Sequence, residues 1–419
     1  MVLGGGSCQL NLIKRIKAAG HFTVVADYLP DCPGGNIADV HVPVSTFDID
    51  GVTKAAKQYG IEAVVTLGTD QPVFTAAAVA EKLGLHFYIG SKTAKAVTNK
   101  RVMKKVFEKH NIPFVPYRLI GSNFTEGETA GLHFPAVLKP VDSQGQRGIF
   151  LVADIKEARQ RIGETLSYSR ESKALLEEYY KSDEITVNGW VDSGKTTLIS
   201  VVDRITIKES CHIGICLCHH FPSVHLQKFY TEIEEITNRI VSAFDMQNGP
   251  LYFQYLIGSE GIKVNEIAMR VGGAYEDITI PLISGIDILG MILEYAEKGA
   301  CSTTRLHAYS LKDQNKFLST QLFFCKPGKA AYITPGEEIL NLPGVHAIHY
   351  NFHENCEIPP IENATARAGY MVIEGESFED MIDNINRVFE RMEILDADKN
   401  NLVIPYSAYK NKYYFFTTD

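Results

Sequence analysis

A match to the GxxxxGKT pattern lies in the middle of the chain, where Gly189 is followed by Gly194, Lys195 and Thr196. In a P-loop this pattern binds phosphate, because backbone N–H groups at the start of a helix and the lysine surround the anion. Residues 197–202, however, have the β-branched composition of a strand. The sequence therefore predicts the tip of a β-hairpin here, with a true P-loop as the alternative.

A second glycine turn lies near the N-terminus, where Gly4 and Gly6 separate an apolar strand from a helix. With Asp27 further along, the turn imitates a dinucleotide-binding fingerprint, in which glycines let the backbone approach a pyrophosphate. Gln9 occupies the position of the third glycine. We therefore favour a tight turn that lets helix and strand pack closely, with nicotinamide nucleotide binding as the alternative.

Thiol and imidazole side chains are concentrated just after the predicted hairpin. They are Cys211, His212, Cys216, Cys218, His219 and His220. Such side chains bind zinc, but their spacing lacks the paired CxxC geometry of a structural zinc site. We favour a buried strand that directs a histidine toward a substrate, and a metal site is the alternative.

The elements that must position such residues begin with alternating strands and helices. The predicted strands cover residues 1–3, 22–26 and 63–67, and the predicted helices follow Gly6 and cover 52–59 and 72–83. This alternation predicts a parallel, doubly wound α/β sheet.

Strand pairs dominate the middle of the chain, after a lysine-rich helix predicted at 99–109. The predicted strands cover residues 136–139, 149–152, 184–191, 197–207, 251–257 and 262–267. Short turns at 192–194 and 258–261 join the last four strands into hairpins, so this block is mainly antiparallel. Residues 278–296 are apolar but interrupted by Pro281, which predicts a loop and a buried helix rather than a membrane span.

The C-terminal part combines short strands, Pro-Gly turns and an amphipathic helix predicted at 378–392. Because about 150 residues is a usual domain size, the chain length suggests about three domains. We divide the chain into residues 1–96, 97–300 and 301–419.

Polar residues follow one another through the middle block in a fixed order. They are Asn99-Lys100, Lys139-Pro140, Ser143-Gln-Gly-Gln-Arg-Gly148, Glu177-Glu178-Tyr179-Tyr180, Glu184, Gln254 and Glu266-Ile-Ala-Met-Arg270-Val-Gly-Gly273. This order resembles that of the ATP-grasp superfamily. The resemblance implies an ATP-grasp fold between an N-terminal parallel α/β preATP-grasp domain and a C-terminal α+β domain similar to that of carboxylate–amine ligases.

The resemblance also assigns residues to ATP. Two or three cations at fixed points suit a triphosphate, and loop amides add directed donors. Lys100 and Lys139 are implied to bind the phosphates under a mobile loop, and a hinge is implied to read adenine beside an acid for the ribose hydroxyls. The loop residues are Ser143, Gln144, Gly145 and Gly148, the hinge residues are Glu177, Glu178, Tyr179 and Tyr180, and the acid is Glu184.

The metal ligands and the catalytic residue come from the same resemblance. Glu266 and Gln254 are implied to bind Mg²⁺, with Mn²⁺ as an alternative, and Ala268 replaces a usual asparagine ligand. Arg270 is implied to stabilise charge on the transferred phosphate, the alternative being a surface salt bridge. Substrate is expected to enter beside the N-terminal turn and the four residues His220, Ser223, Gly272 and Gly273.

The expected activity is ADP-forming ligation of a small-molecule carboxylate to an amine through an acyl phosphate. A carboxylase that activates bicarbonate or formate is one alternative. A nucleotide-binding protein without turnover is another, because Gln254 and Ala268 replace usual metal ligands.

Composition limits the partners and the compartment. The chain has 41 Lys and Arg against 50 Asp and Glu, a net charge of -9, and no long basic cluster, which argues against nucleic acid. Eight cysteines in a chain of 419 residues that begins without a basic, apolar leader predict reduced thiols and a cytoplasmic protein. We expect no membrane partner, and we expect a homodimer.

Overall fold

The computed structural model describes residues 1–207 and 213–406. Cys211 and His212 of the thiol and imidazole cluster lie outside these residues. The strands are β1 Val2–Leu3, β2 Val24–Ala26, β3 Val40–Val42, β4 Tyr117–Ile120, β5 Ala136–Pro140, β6 Phe150–Val152, β7 Ala174–Glu178, β8 Ser182–Asp192, β9 Lys195–Thr206, β10 Cys216–Phe221, β11 Asn248–Gly258, β12 Gly261–Ala268, β13 Phe317–Gln321, β14 Gly328–Lys329, β15 Tyr332–Ile333, β16 Val345–Tyr350, β17 Glu357–Ile358, β18 Gly369–Gly375 and β19 Ile394–Leu395. The helices are α1 Leu10–Ala18, α2 Ile49–Gln58, α3 Gln71–Leu83, α4 Ser91–Thr98, α5 Lys100–Lys109, α6 Ile155–Ser167, α7 Leu226–Ala243, α8 Glu276–Ser284, α9 Ile288–Lys298, α10 Thr304–His307, α11 Gly336–Leu340 and α12 Phe378–Arg391.

The N-terminal part contains a parallel sheet in the order β1-β2-β3, as the alternating pattern predicted. Val2, Leu3, Val24 and Val25 are fully buried. Apolar residues occur on both faces of these strands because helices cover a parallel sheet on both sides. Only the ends of the strands and the turns that follow them therefore face the rest of the chain.

The turn after β1 is a tight turn that lets strand and helix pack closely, which agrees with the favoured interpretation. Gly4 has a φ of 97°, and the side chain of Gln9 lies against it. The Gly5 N–H donates to the Asp27 carboxylate at 2.8 Å, so Asp27 closes the turn. Gln9 donates to the Leu67 carbonyl at 2.5 Å and ties helix α1 to the segment after the third predicted strand.

Two strand predictions in this part were wrong. The strand expected at 63–67 is reduced to one parallel bridge between Val65 and Val2, because the segment soon turns away toward Gly68, whose φ is 72°. Strand β3 was missed, since its half-buried residues carry only a short apolar signal beside a loop that contains Pro33.

Helix α8 corrects the loop expected near residue 278. It contains Pro281, which removes one helical hydrogen bond, and it ends at Gly285, whose φ is 69°. Buried Ile280 and Ile283 stabilise the helix by packing. No single helix within the described residues has the length and apolarity to cross a membrane, and α8 and α9 pass that test only as a pair bent by 108°.

A four-stranded antiparallel sheet follows, in the order β4-β7-β5-β6. Helix α6 packs on this sheet, and buried Phe150, Leu138 and Leu176 form part of its core. Helix α5 begins at Lys100 with Asn99 as its N-cap, which accepts from the Val102 N–H. The sheet places β5 directly beside β7.

An eight-stranded antiparallel sheet forms the largest layer, in the order β12-β11-β8-β9-β10-β13-β18-β16. Five of its strands precede residue 300 and three follow it. Strand β10 pairs with β13, with His219 opposite Thr320. The sheet therefore continues across the boundary drawn between residues 300 and 301.

The GxxxxGKT match lies on the hairpin of β8 and β9, so the hairpin prediction was confirmed. Asp192 pairs with Lys195, and the two residues between them, Ser193 and Gly194, have φ values of 51° and 78°. Two successive positive φ values are typical of a tight hairpin turn. No helix begins at Lys195, because strand β9 does.

Candidate active site

A cleft of about 940 Å³, including open solvent at its mouth, lies between the four-stranded and eight-stranded sheets. Part of its wall is apolar and is formed by Val115, Val137, Ile149, Leu151 and Leu256. The polar part contains two lysines, four acids and an arginine, namely Lys100, Lys139, Glu177, Glu178, Glu184, Glu266 and Arg204. Such a division suits a ligand that has one flat apolar end and one charged end.

Glu177 is the anion that lies among the lysines of the cleft. It is 3% exposed, and its carboxylate pairs with Lys139 at 2.5 Å and also with Lys104. Burial alone would raise the pKa of Glu177, but the two lysines outweigh it and hold that pKa below its usual range. Lys139 also donates to Asn265 at 3.3 Å. Its ammonium is therefore fixed between the two sheets.

Lys100 and Glu266 form a second ion pair at 2.6 Å. Lys100 also donates to the Ser143 carbonyl at 3.2 Å. Burial opposes ionisation of Glu266, but Lys100 outweighs this effect and keeps the pKa of Glu266 low. Gln254 lies opposite Glu266 in the β11–β12 ladder, so their side chains share a face.

This pair of oxygen donors fits a magnesium ion. Mg²⁺ prefers oxygen ligands and completes its octahedron with water and phosphate oxygens, so one carboxylate and one amide oxygen suffice from the protein. The described residues contain no group of three or more His, Cys, Asp or Glu side chains that could hold a metal by themselves. The side chains of the Cys and His residues on β10 carry no oxygen donor of this kind.

The residues of the expected adenine hinge make different kinds of contact. The Glu178 N–H and the Tyr179 N–H donate to the carbonyls of Pro116 and Pro135 at 3.0 and 2.9 Å. The Glu178 carboxylate accepts from His133 at 2.9 Å. Glu184 pairs with buried Arg204 at 2.5 Å. The two amides are therefore already bonded within the protein.

The 143–148 loop lies against two other parts of the chain. The Gln144 side-chain oxygen accepts from the Asp70 and Gln71 N–H groups at 2.8 and 3.2 Å, and the Gly145 carbonyl accepts from the Ala364 N–H at 3.2 Å. Gly145 and Gly148 have φ values of 70° and 69°, which favour glycine at both positions.

Arg270 follows strand β12 and is buried, so the surface salt bridge considered as its alternative is excluded. Its side chain is 7% exposed and donates from Nε to Asp70 at 2.6 Å. It also donates to the Val271 carbonyl at 3.1 Å, and its guanidinium lies 4.6 Å from the ring centroid of Tyr252. Burial would lower the pKa of Arg270, but Asp70 outweighs it and raises that pKa.

The four predicted substrate residues do not line the cleft. His220 packs its ring against Phe378 at 6.1 Å and lies 3.4 Å from the Tyr406 hydroxyl. Ser223 donates to Asp203 at 2.5 Å. These contacts place the His220 ring beside α12, and its role in substrate binding stays a prediction.

Gly272 and Gly273 lie where three parts of the chain meet. A Cβ on Gly273 would lie 2.5 Å from the Gly68 carbonyl oxygen of the N-terminal part. Arg367 of the C-terminal part donates to the Gly273 carbonyl at 3.3 Å. A side chain on Gly272 would meet the Glu276 carboxylate. Glycine is therefore needed for the close approach at this junction.

Three residues that the sequence reasoning did not select, namely Lys104, Asp70 and Glu276, belong to this arrangement together with His219 of the thiol and imidazole cluster. His219, on the other face of β10 from His220, lies 3.4 Å from the Glu276 carboxylate. Lys104 follows Lys100 by one helical turn, a spacing that places both on one face of α5. Asp70 precedes helix α3 directly. The spacing of Lys104 and the position of Asp70 were the two signals available in the sequence.

Residues 132–277 match the family model described as an ATP-grasp domain. The two sheets with a cleft between them, and the lysines and acids along it, occupy this matched region and the residues next to it. Over these residues the chain therefore matches an ATP-grasp domain, and the two sheets with the cleft between them agree with that match.

Known proteins resemble the chain well beyond that domain. It is 23% identical over 386 residues to dapdiamide A synthase of Enterobacter agglomerans, covering 85% of this chain and 88% of that protein. The crystal structure of an L-amino acid ligase from Bacillus licheniformis has a TM-score of 0.80 at 16% identity, over 94% of this chain and 98% of that one. A biotin carboxylase from Campylobacter jejuni has a TM-score of 0.71 at 17% identity, over 93% and 91%.

The His219–Glu276 pair predicts a pH dependence of stability. Burial disfavours the imidazolium, but Cys216 and Glu276 outweigh it and raise the pKa of His219 to about 9. A histidine in an unfolded chain titrates near ~6.5. The stabilisation is therefore complete below about pH 6.5 and is lost as the pH rises toward 9.

We expect His219→Gln to lower stability by about 1–3 kcal/mol at pH 6.5, and we expect the difference from wild type to narrow at pH 9.5. Thermal melts across this range measure it. His21→Gln, which removes an exposed histidine paired with Glu297, serves as the control and should show a small difference at every pH. A difference for His219→Gln that stays constant with pH would contradict the charged pair.

Proposed function

We propose that the protein is an ATP-dependent, ADP-forming ligase that joins a small-molecule carboxylate to an amine through an acyl phosphate. The observation that carries this proposal is the set of cations at one end of a half-apolar cleft, where Lys100 and Lys139 lie near Glu266. The similarity to dapdiamide A synthase and to an L-amino acid ligase supports the same chemistry.

In this proposal the apolar part of the cleft holds adenine. The Glu178 and Tyr179 N–H groups already have partners, so we assign the donor to the Tyr180 N–H and the acceptor to a carbonyl of the same connection. Glu184 receives the ribose hydroxyls beside Arg204. Glu177 contributes indirectly, because it holds Lys139 in a buried ion pair.

The phosphates lie between Lys100, Lys139 and the 143–148 loop, whose residues are Ser143, Gln144, Gly145 and Gly148. Glu266 and Gln254 would hold Mg²⁺, or Mn²⁺ in its place. A divalent ion held there would neutralise charge on the phosphate oxygens. Lys100 exchanges its ion pair with Glu266 for a phosphate oxygen when nucleotide binds, since one ammonium can serve either anion.

The proposed reaction has two steps. A carboxylate oxygen bonds to the terminal phosphorus as the bond from phosphorus to the ADP oxygen breaks. The amine then bonds to the acyl carbon, phosphate leaves, and the amine nitrogen loses a proton. Arg270 supplies a permanent charge and directed N–H groups to the transferred phosphate. No enzyme nucleophile is required, because positioning and charge stabilisation suffice.

The remaining features of the proposal concern organisation. We assign residues 1–96, 97–300 and 301–419 to three domains, of which the third extends the sheet of the second. A cytoplasmic location agrees with the cysteine content, and we propose a homodimer. A carboxylase that activates bicarbonate or formate remains the rival function, because the fold is also that of a biotin carboxylase. A panel of acids that includes both anions separates the two.

We expect Lys139→Ala to weaken ATP binding by about tenfold or more, since it removes a charge-assisted contact to phosphate. Glu177 keeps Lys104 as its partner in this variant, so the fold should persist. Lys195→Ala, on the hairpin tip, should change affinity by less than about twofold. Isothermal titration with a nonhydrolysable ATP analogue measures both. Greater sensitivity at Lys195 would restore the P-loop interpretation.

We expect ATP to protect the 143–148 loop from trypsin at Arg147. The loop contacts the rest of the chain through a few hydrogen bonds, with Asp70, Gln71, Lys100, Thr165 and Ala364, and no apolar core residue within the described chain anchors it, so we expect it to open without nucleotide. A closed loop would exclude water from the reactive acyl phosphate. The cleavage rate with and without ATP is the measurement, and Lys139→Ala is the control that should lose protection. Equal rates in the wild-type protein would argue against a lid.

We expect ADP and phosphate in equal amounts, without AMP, and phosphate release that depends on the acid. Arg270→Ala should lower turnover about a hundredfold to a thousandfold while ATP affinity stays within about threefold, because the arginine acts on the reacting group. Arg15→Ala, which removes an exposed ion pair with Asp287, is the matched control. Detection of AMP, or full turnover in Arg270→Ala, would reject the mechanism.

A further inference from the structure

Asp70 occupies the N-cap position of helix α3 but does not cap it. Aspartate at this position usually accepts hydrogen bonds from the first amides of its helix. Here the described amides of α3 receive no side-chain bond from Asp70. Its carboxylate accepts instead from Nε and the NH2 group of Arg270, both at 2.6 Å.

The 143–148 loop, which is the proposed lid, contacts the backbone at this helix start. The side-chain oxygen of Gln144 accepts from the N–H groups of Asp70 and Gln71, at 2.8 and 3.2 Å. An N-cap side chain would instead accept from the Val73 N–H, since Pro72 has no N–H. Gln144 therefore holds the backbone of Asp70 from one side while the Asp70 carboxylate holds Arg270.

The contact fixes how the guanidinium is presented. Two of its five N–H groups point to Asp70 and one to the Val271 carbonyl, while Tyr252 covers one face at 4.6 Å. One N–H remains on each terminal nitrogen. A planar donor held along one edge in this way offers its other edge to an oxyanion in a single orientation.

The backbone around Asp70 is rigid. The Gly68 N–H donates to the Val271 carbonyl at 3.2 Å, and the backbones of Gly68 and Gly273 are in close contact. Gln9 holds the Leu67 carbonyl at 2.5 Å. The turn therefore stays docked on the Arg270 loop, and the part that can change is the side chain of Asp70.

We propose that Asp70 is a positioning residue that couples lid closure to the orientation of Arg270. With the lid closed, Gln144 fixes the Asp70 and Gln71 amides and Asp70 holds Arg270 in line for the phosphate. With the lid open, these amides lose Gln144, and the Asp70 carboxylate turns to the Val73 N–H, the usual partner of an N-cap side chain, and releases Arg270. This inference rests on the proposed ligase function, in which Arg270 acts on the transferred phosphate.

Turnover measurements on single and double variants test the coupling. We expect Asp70→Ala to lower kcat about tenfold to a hundredfold with the KM for ATP within about threefold, because misplacement of a catalytic group acts on the reacting step. Asp70→Asn keeps an oxygen acceptor for Arg270 and should recover most of the activity. Asp50→Ala removes an exposed residue of α2 that pairs with Lys82 of α3, and this variant should behave as wild type.

The double variant addresses the lid. Gln144→Ala should lower kcat several-fold on its own, because Asp70 then caps the helix, and it should have little further effect in Asp70→Ala. Additive effects would overturn the coupling, and wild-type kcat in Asp70→Ala would overturn the positioning role. If the wild-type protein releases no phosphate with any acid, the proposed function fails and this inference fails with it.

Discussion

The whole site depends on keeping several cations close together in a buried cleft before any phosphate is bound. Like charges that lie close together repel strongly in a medium of low dielectric constant. The chain solves this by giving each cation an internal anion: Glu177 for Lys139, Glu266 for Lys100 and Asp70 for Arg270. Buried ion pairs are weak contributors to net stability but costly to break on one side. The carboxylates therefore hold the cations in place until the polyanionic ligand competes for them.

The anions and cations of these pairs come from separate parts of the chain. Lys139 and Glu177 lie on neighbouring strands, whereas Lys100 reaches Glu266 across the cleft and Arg270 reaches the N-terminal turn. Electrostatic pairing thus joins the same surfaces that a nucleotide and its substrate would join. The glycines at the junction matter for the same reason, because they allow backbones to approach closely enough for short side chains to meet.

The sequence predicted most of the nucleotide cleft but less of the junction behind it. Lys139 and Glu266 could be found because the order of polar residues around them resembles that of the ATP-grasp superfamily, and each lies in a clear strand. The P-loop interpretation of Lys195 could be rejected because its surroundings are strand-like. The sequence did not show which side chains of β10 lie on which face of the sheet. A register shift between Cys216 and Cys218 changes the alternation, and a shift of one residue exchanges the faces. His219 therefore faces Glu276, whereas the ring of His220 lies beside α12. The role of Asp70 was hidden by its ordinary place at a helix start.

The continuous eight-stranded sheet limits how this protein can be divided or recombined. Separating the chain at residue 300 would expose unpaired backbone groups along β10 and β13, where residues such as His219 and Thr320 now face each other. Open strand edges promote intermolecular association. The C-terminal segment is consequently not an interchangeable module, and chimeras with related proteins should be joined in the turns outside this sheet. Shuffling at the apparent domain border would instead create two aggregation-prone fragments.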